Sequence, residues 1–163
     1  MPNNINPDDF QQLYQPLHKM LFKTALMFLK SKENAEDALQ EAVLLGYKNF
    51  SKLRNTEYFK TWITRILINI CHDFWKKHNS NVPLDFIVNI ISHNNDFTDG
   101  IAMLDYINSL DKKSKEVVVL RFWSDLSIDE IAKTLSIPKG TVKSRLSRSL
   151  NKLKLELIEE DHS

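Results

Sequence analysis

The sequence predicts an all-α protein made of two small helical domains joined by an acidic linker. Three observations predict it. The chain of 163 residues holds only 3 Gly and 5 Pro, too few for a turn-rich β fold. Apolar residues recur at helical spacing behind recognisable caps along most of its length. The charge is partitioned. Residues 1–80 hold eleven Lys/Arg and eight Asp/Glu, residues 81–110 hold four Asp and no base, and residues 111–163 hold eleven bases and nine acids. Two mildly basic blocks therefore flank an acidic middle. Domains are expected at 1–80 and 100–163, with a linker at 81–99.

Several function classes lose support from composition alone. Apolar residues make up 42% of the chain, which argues against global disorder. A single cysteine, Cys71, cannot form an internal disulfide and reads as a small core residue. The amino end, MPNNINPDDF, lacks the basic and apolar segments of a signal peptide. No apolar run approaches the ~20 residues of a membrane span, so no membrane insertion is expected and the cytoplasm is the simplest compartment. There is no Gly-rich phosphate loop, and the five histidines are scattered at spacings that suit no metal site. No catalytic residues, metal or cofactor are expected.

The first helix is expected to start at Asn6-Pro7-Asp8: a cap, a proline in the first turn, then acids against the helix dipole. Leu13, Leu17 and Leu21, with Phe10, Tyr14 and Phe28 beside them, predict one helical stripe to about Leu29. Asn34 is expected to cap a second helix with an acidic first turn. Ala38, Ala42, Leu45 and Phe50 would face its core, leaving Glu36, Asp37, Gln40 and Glu41 outside. Dipole compensation alone would account for those acids. The polar stretch SKLRNTEY reads as a loop. In the third helix, Phe59–Lys77, Phe59, Trp62, Ile66, Ile70 and Phe74 lie near one face. Trp62, Arg65, Asn69, His72, Asp73, Trp75, Lys76 and Lys77 mix bases with aromatics, which suits stacking on unpaired bases. Trp62 also reads as a core residue. The linker is rich in Asn and Asp, but its segment LDFIVNII is apolar enough to dock somewhere.

The second domain is expected to open near Gly100 with a short helix carrying Ile101, Leu104, Ile107 and Leu110. Asp111 should cap the next. The run Val117–Leu120 would pass for a strand by composition, but the cap and the lack of a partner strand favour helix. Ser127 and Glu130 form a capping box before Ile128, Ile131, Ala132 and Leu135. After a break at Ser136–Ile137, Pro138 suits the first position of a last helix. Val142, Leu146, Leu150, Leu153 and Leu157 form its stripe, and its other face carries Lys139, Lys143, Arg145, Arg148, Lys152 and Lys154, with no acid before Glu156. Thr141, Ser144, Ser147 and Asn151 lie among those bases. This is a helix-turn-helix whose last helix has the composition a DNA major groove requires. A solvated basic helix is the plainer alternative.

The stretch SDLSIDEIAKTLSIPKGTVKSRLSRSLNKL resembles the DNA-binding region of extracytoplasmic-function (group IV) sigma factors of bacterial RNA polymerase. AEDALQEA is similar to that family's polymerase-binding helix, and FKTWITRILINICHDFWKK to its −10 promoter helix. The resemblance spans roughly residues 8–78 and 101–156, with Asn55 standing where the family often has Gly. It implies a sigma region 2-like bundle followed by a region 4-like domain, and a chain that directs polymerase to promoters without catalysis of its own. The implied partners are core RNA polymerase, promoter DNA and an anti-sigma factor. By position in the family pattern, Lys143, Ser144, Ser147 and Arg148 would face −35 base edges, and Lys139, Thr141, Arg145 and Lys152 would hold phosphates. Arg54, Tyr58, Trp62, Arg65, Asn69, Asp73, Lys76 and Lys77 would serve the −10 element, and Asp37, Gln40 and Glu41 the core enzyme. The residues by themselves also permit a stand-alone dimeric regulator, which would favour a palindrome.

Overall fold

The computed structural model describes residues 6–77 and 106–161, with side chains through Leu155. The expected linker, its apolar segment, Ile101, Leu104 and the side chain of Leu157 lie outside the described residues. The chain divides into two compact units, Met1–Val82 and Pro83–Ser163. No strand occurs among the described residues.

In the first unit, α1 spans Pro7–Tyr14 and α2 His18–Leu29, with a 3-10 turn at Gln15–Leu17 between them. Asn6 caps α1 in a reciprocal box with Asp9, and Pro7 takes the first position, where its missing N–H costs nothing. The single stripe expected to Leu29 is interrupted at Pro16, which tightens the chain into that 3-10 turn. Lys30 then adopts the left-handed conformation (φ 54°) and its N–H bonds the Leu26 carbonyl at 2.8 Å.

The next helix, α3, spans Lys32–Asn49. Its cap is Ser31, whose hydroxyl accepts the Asn34 N–H at 3.2 Å, and not Asn34 as expected. The two candidates lie within one turn, and the left-handed Lys30 brings Ser31 into the capping position first. Three alanines, Ala35, Ala38 and Ala42, are fully buried on α3. Gly46 extends that small-residue face, since a Cβ there would stand 2.6 Å from Ile63 Cδ1. Leu45, expected in the core, is correspondingly 43% exposed. The face that packs is chosen by close approach and not by the largest apolar side chain.

The polar stretch before the last helix of this unit contains two 3-10 turns, Phe50–Lys52 and Thr56–Tyr58, and α4 follows at Phe59–Lys77. Phe59, Ile63, Leu67 and Ile68 of α4 and Leu21, Ala25, Leu26 and Met27 of α2 are all buried in the core of this unit. Of the residues expected near one face, Phe59 and Ile70 are buried, whereas Trp62, Ile66 and Phe74 are half-buried. The ring of Phe10 stands 5.4 Å from both Phe50 and Phe59, edge-on, and so ties α1 to the turn after α3 and the start of α4. Cys71 is buried, and that burial pushes its thiol up to about 12. A thiol so protonated is inert, consistent with a packing role.

In the second unit residues 106–109 are helical, followed by α5 at Lys112–Phe122, α6 at Ile128–Leu135 and α7 at Lys139–Asp161. Asp111 caps α5 and accepts the Ser114 N–H at 3.4 Å. The bonds from Ser114 hold its carboxyl below the usual range. Val117–Leu120 is helical and fully buried. Ser127 and Glu130 make the capping box in both directions, at 3.2 and 2.7 Å. Ser136 ends α6 in the left-handed conformation (φ 55°). Pro138 is the cap of α7, not its first residue as expected: its carbonyl accepts the N–H groups of Thr141 and Val142 at 3.0 and 3.2 Å. Either place spares a proline its lost donor. Along α7 the core face runs through Val142, Leu146 and Ser149, while Leu150 is 45% exposed, against expectation. The Ser149 hydroxyl donates to the Arg145 carbonyl at 2.8 Å, so a polar residue is buried there with its bond satisfied.

Candidate nucleic-acid interface

The exposed face of α7 is set by its burial pattern. With Val142, Leu146 and Ser149 inward, Lys143, Ser144, Ser147, Arg148 and Lys152 all emerge into solvent. Thr141 and Arg145 are half-buried at the edges of that face. The face is narrower than its charge suggests, because four of its side chains have bonds within the unit. Lys139 pairs with Asp129 of α6. Arg148 Nε donates to the Ser144 carbonyl at 3.3 Å, and the Ser144 hydroxyl to the Thr141 carbonyl at 3.1 Å. Lys152 Nζ donates to the Ser109 carbonyl at 3.2 Å. Arg148 and Lys152 also line a hollow of about 160 Å³ with Leu110, Asp111 and Ser114, at the amino end of α5. They thus border the flank of α7 next to α5. The Arg121 guanidinium donates to the Leu126 carbonyl at 3.1 Å and ties α5 to the turn before α6.

On α4, Arg65, Asn69 and Asp73 recur every four residues and are exposed, as are Lys76 and Lys77. Arg54 and Tyr58 lie on the turns before the helix, and Tyr58 is 56% exposed. Asn55, between them, accepts the Glu57 N–H at 2.9 Å and so orders that turn without a glycine. Trp62 is anchored, with its ring 6.4 Å from Phe50 and 5.9 Å from Phe59, and only part of its face is open. At about 1.5 Å of rise per residue, Trp62 and Lys77 stand about 22 Å apart along the axis. These residues form a strip along α4 and the turns before it.

On α3, Asp37, Gln40 and Glu41 are exposed on one face, and Leu44, at 63% exposure, continues it. Because the helix starts at Lys32, only Glu33 lies in its first turn. Glu36 is paired with Lys32 at 3.9 Å. The dipole fades beyond one turn, so it gives no account of acids at Asp37 and Glu41. Beside this face runs a groove of about 640 Å³, lined by Tyr14, His18, Phe22, Leu39, Gln40, Val43 and Leu44 among others. In it the Tyr14 hydroxyl and His18 Nδ1 are 2.6 Å apart, and burial raises the Tyr14 phenol. Neither this groove nor Asp129 was evident from sequence. Exposed Leu44 on an otherwise polar face was the one signal for the groove.

Two family patterns match the chain in order: Sigma-70 region 2 over residues 13–81 and Sigma-70 region 4 over residues 101–153. The chain is a sigma factor of the extracytoplasmic-function group. It shares 29% identity over 149 residues with RNA polymerase sigma factor SigV of Bacillus subtilis, covering 90% of each chain. It shares 28% over 146 residues with ECF RNA polymerase sigma factor SigM of Mycobacterium tuberculosis, covering 88% of this chain and 74% of that one. The fold matches that of the sigma factor RpoE of Bartonella quintana, solved in complex with the anti-sigma factor NepR. The TM-score is 0.73 at 21% identity, over 93% of this chain and 98% of that one. As a sigma factor the protein acts in promoter recognition and transcription initiation, as a non-enzymatic subunit that binds core polymerase and promoter DNA. No helix among the described residues is long and apolar enough to cross a membrane, and none of those residues form a group that could hold a metal ion.

Proposed function

We propose that this sigma factor divides promoter recognition between its two units, residues 1–80 and 100–163 joined by the linker 81–99. In this reading α7 reads the −35 element through Lys143, Ser144, Ser147 and Arg148, with Lys139, Thr141, Arg145 and Lys152 on phosphates. The strip of α4, with Arg54 and Tyr58 ahead of it, takes the −10 element and assists melting. Asp37, Gln40 and Glu41 bind the core enzyme. The observation that carries the reading is that most of each set is exposed along one helix whose opposite face builds the core, with Thr141, Arg145 and Trp62 half-buried at the edges and Arg54 and Tyr58 on the turns before α4. The work is done in the cytoplasm, where polymerase is. An anti-sigma factor is a further partner, supported by the complex in which a fold relative was solved. Run-off transcription with core polymerase, with and without this protein, tests the whole. Specific, palindrome-dependent duplex binding by the protein alone, with no effect on core, would overturn it.

Within this reading, Arg148 and Lys152 should fail differently. Arg148→Ala should cost about 1–3 kcal/mol in a sequence-dependent way, because a lost base contact matters only where that base is present. Lys152→Ala should weaken all promoters alike and lower the slope of log affinity against log salt by about one unit. Holoenzyme binding to a panel of −35 variants at several salt concentrations separates the two. An equal loss on every promoter for Arg148→Ala would show that its guanidinium serves the flank by Asp111 and Ser114 and not the bases.

A further inference from the structure

Asp129 sits where an anion is least expected in a DNA-binding surface. It lies in the first turn of α6, exposed, and its carboxylate pairs across the turn with Lys139, the first residue of α7. Lys133 of its own helix and Lys143 of α7 also act on it, and together with the Lys139 bond they hold its carboxyl below the usual range. The amino end of α7 attracts anions for a second reason. Its cap is Pro138, which has no side-chain acceptor, and its first turn contains no acid. Gly140, in that turn, has open space around it. Three lysines and a helix end without a side-chain cap thus act on a place suited to a phosphate, and the carboxylate of Asp129 is already there.

We propose that Asp129 is an internal substitute for a DNA phosphate that must be displaced before Lys139 can contact the duplex. The inference rests on the reading of Lys139 as a phosphate contact. Non-specific DNA binding arises from phosphate neutralisation and counterion release, so a lysine held by an intramolecular partner contributes less to it. The competing carboxylate is tethered on the same unit and is always present at high effective concentration. Asp129 therefore limits attachment to arbitrary DNA and leaves Lys139 to be recruited where the other contacts of α7 are satisfied. Both side chains are more than half exposed, so the effect is modest, on the order of the coupling of one exposed ion pair.

The test is a double-mutant cycle on the full chain, with Asp129→Asn, Lys139→Ala and both together, read by fluorescence anisotropy on a scrambled duplex across a salt series. Asp129→Asn keeps the side chain's size and leaves the Ser127–Glu130 box intact. Far-UV circular dichroism of each variant checks that the helices remain. Asp129→Asn is expected to tighten scrambled-duplex binding about two- to fivefold. It should also steepen the salt slope by up to about 0.9, the release expected from one more neutralised phosphate. Lys139→Ala should then cost more in the Asp129→Asn background than in the unaltered protein. If Lys139→Ala weakens binding by the same factor in both backgrounds, Lys139 is a phosphate contact but Asp129 does not compete with it, and the proposal fails. If Lys139→Ala changes nothing in either background, the underlying assignment of Lys139 fails instead.

Discussion

Glu41→Lys is expected to abolish association with core RNA polymerase while leaving the first unit folded. Glu41 is exposed near the middle of α3, and its neighbours inward, Ala38 and Ala42, are fully buried. A change at Glu41 therefore touches solvent and not the core, where surface substitutions fall within about 0.5 kcal/mol of neutral. A lysine there would sit four residues after Asp37, an arrangement that supports a helix by about 0.2–0.5 kcal/mol. So α3 should be as stable as before or slightly more so. Against a partner the result is the opposite. Removing one member of a close charge pair across an interface costs about 2–5 kcal/mol, and reversing its sign adds repulsion. Asp37 and Gln40 share the same face, so the reversed charge stands within the patch. Co-purification of the variant with core polymerase measures the loss, and a thermal melt checks the fold. Wild-type recovery with core would remove α3 as the binding face.

The fold was largely legible because most helix starts carry their own chemistry. Asn6 with Asp9, Asp111 with Ser114, and Ser127 with Glu130 each satisfy orphan amides locally, and the structure places each cap at the position its sequence indicates. Val117–Leu120 is helical because the cap before it and the lack of a partner strand outweigh the β preference of valine. The misread core positions share one cause. Periodicity ranks positions by apolar size, whereas helix packing selects positions by how closely backbones can approach. Gly46 lies inward where Leu45 was expected, because Ile63 fills the space a side chain would need. Ser149 lies inward where Leu150 was expected, because its hydroxyl can be satisfied by the Arg145 carbonyl. At Ser31 and Asn34 two residues with capping side chains compete, and the choice turned on the left-handed Lys30, a conformation lysine rarely adopts. For the candidate sites, exposure of the proposed contact residues could be read from helical phase. Their internal partners could not. Asp129 meets Lys139 only because a turn of fixed geometry folds α6 back beside α7.

Replacement of Asn69 by alanine is expected to impair transcription from a fully duplex promoter far more than from one pre-melted at −10. Asn69 is exposed on α4 between Arg65 and Asp73, one turn away on either side. Its amide offers two donors and one acceptor, enough to meet the edge of an unpaired base. Taking a base out of the stack costs a few kcal/mol, and a protein that promotes melting must offset that cost with contacts made only to the opened strand. Hydrogen bonds of this kind are worth about 1–3 kcal/mol each, so their loss should lower opening by roughly five- to a hundredfold. On a pre-melted template the opening step is already complete, and most of that penalty disappears. The substitution also carries its own control for folding. Alanine has the higher helix propensity, and at an exposed position in α4 the change should stabilise the helix by a few tenths of a kcal/mol. Any loss of transcription then reflects a missing contact and not a weakened helix. Abortive initiation on matched duplex and bubble templates reads the difference, and an equal loss on both would reduce Asn69 to a surface residue of the strip with no part in strand opening.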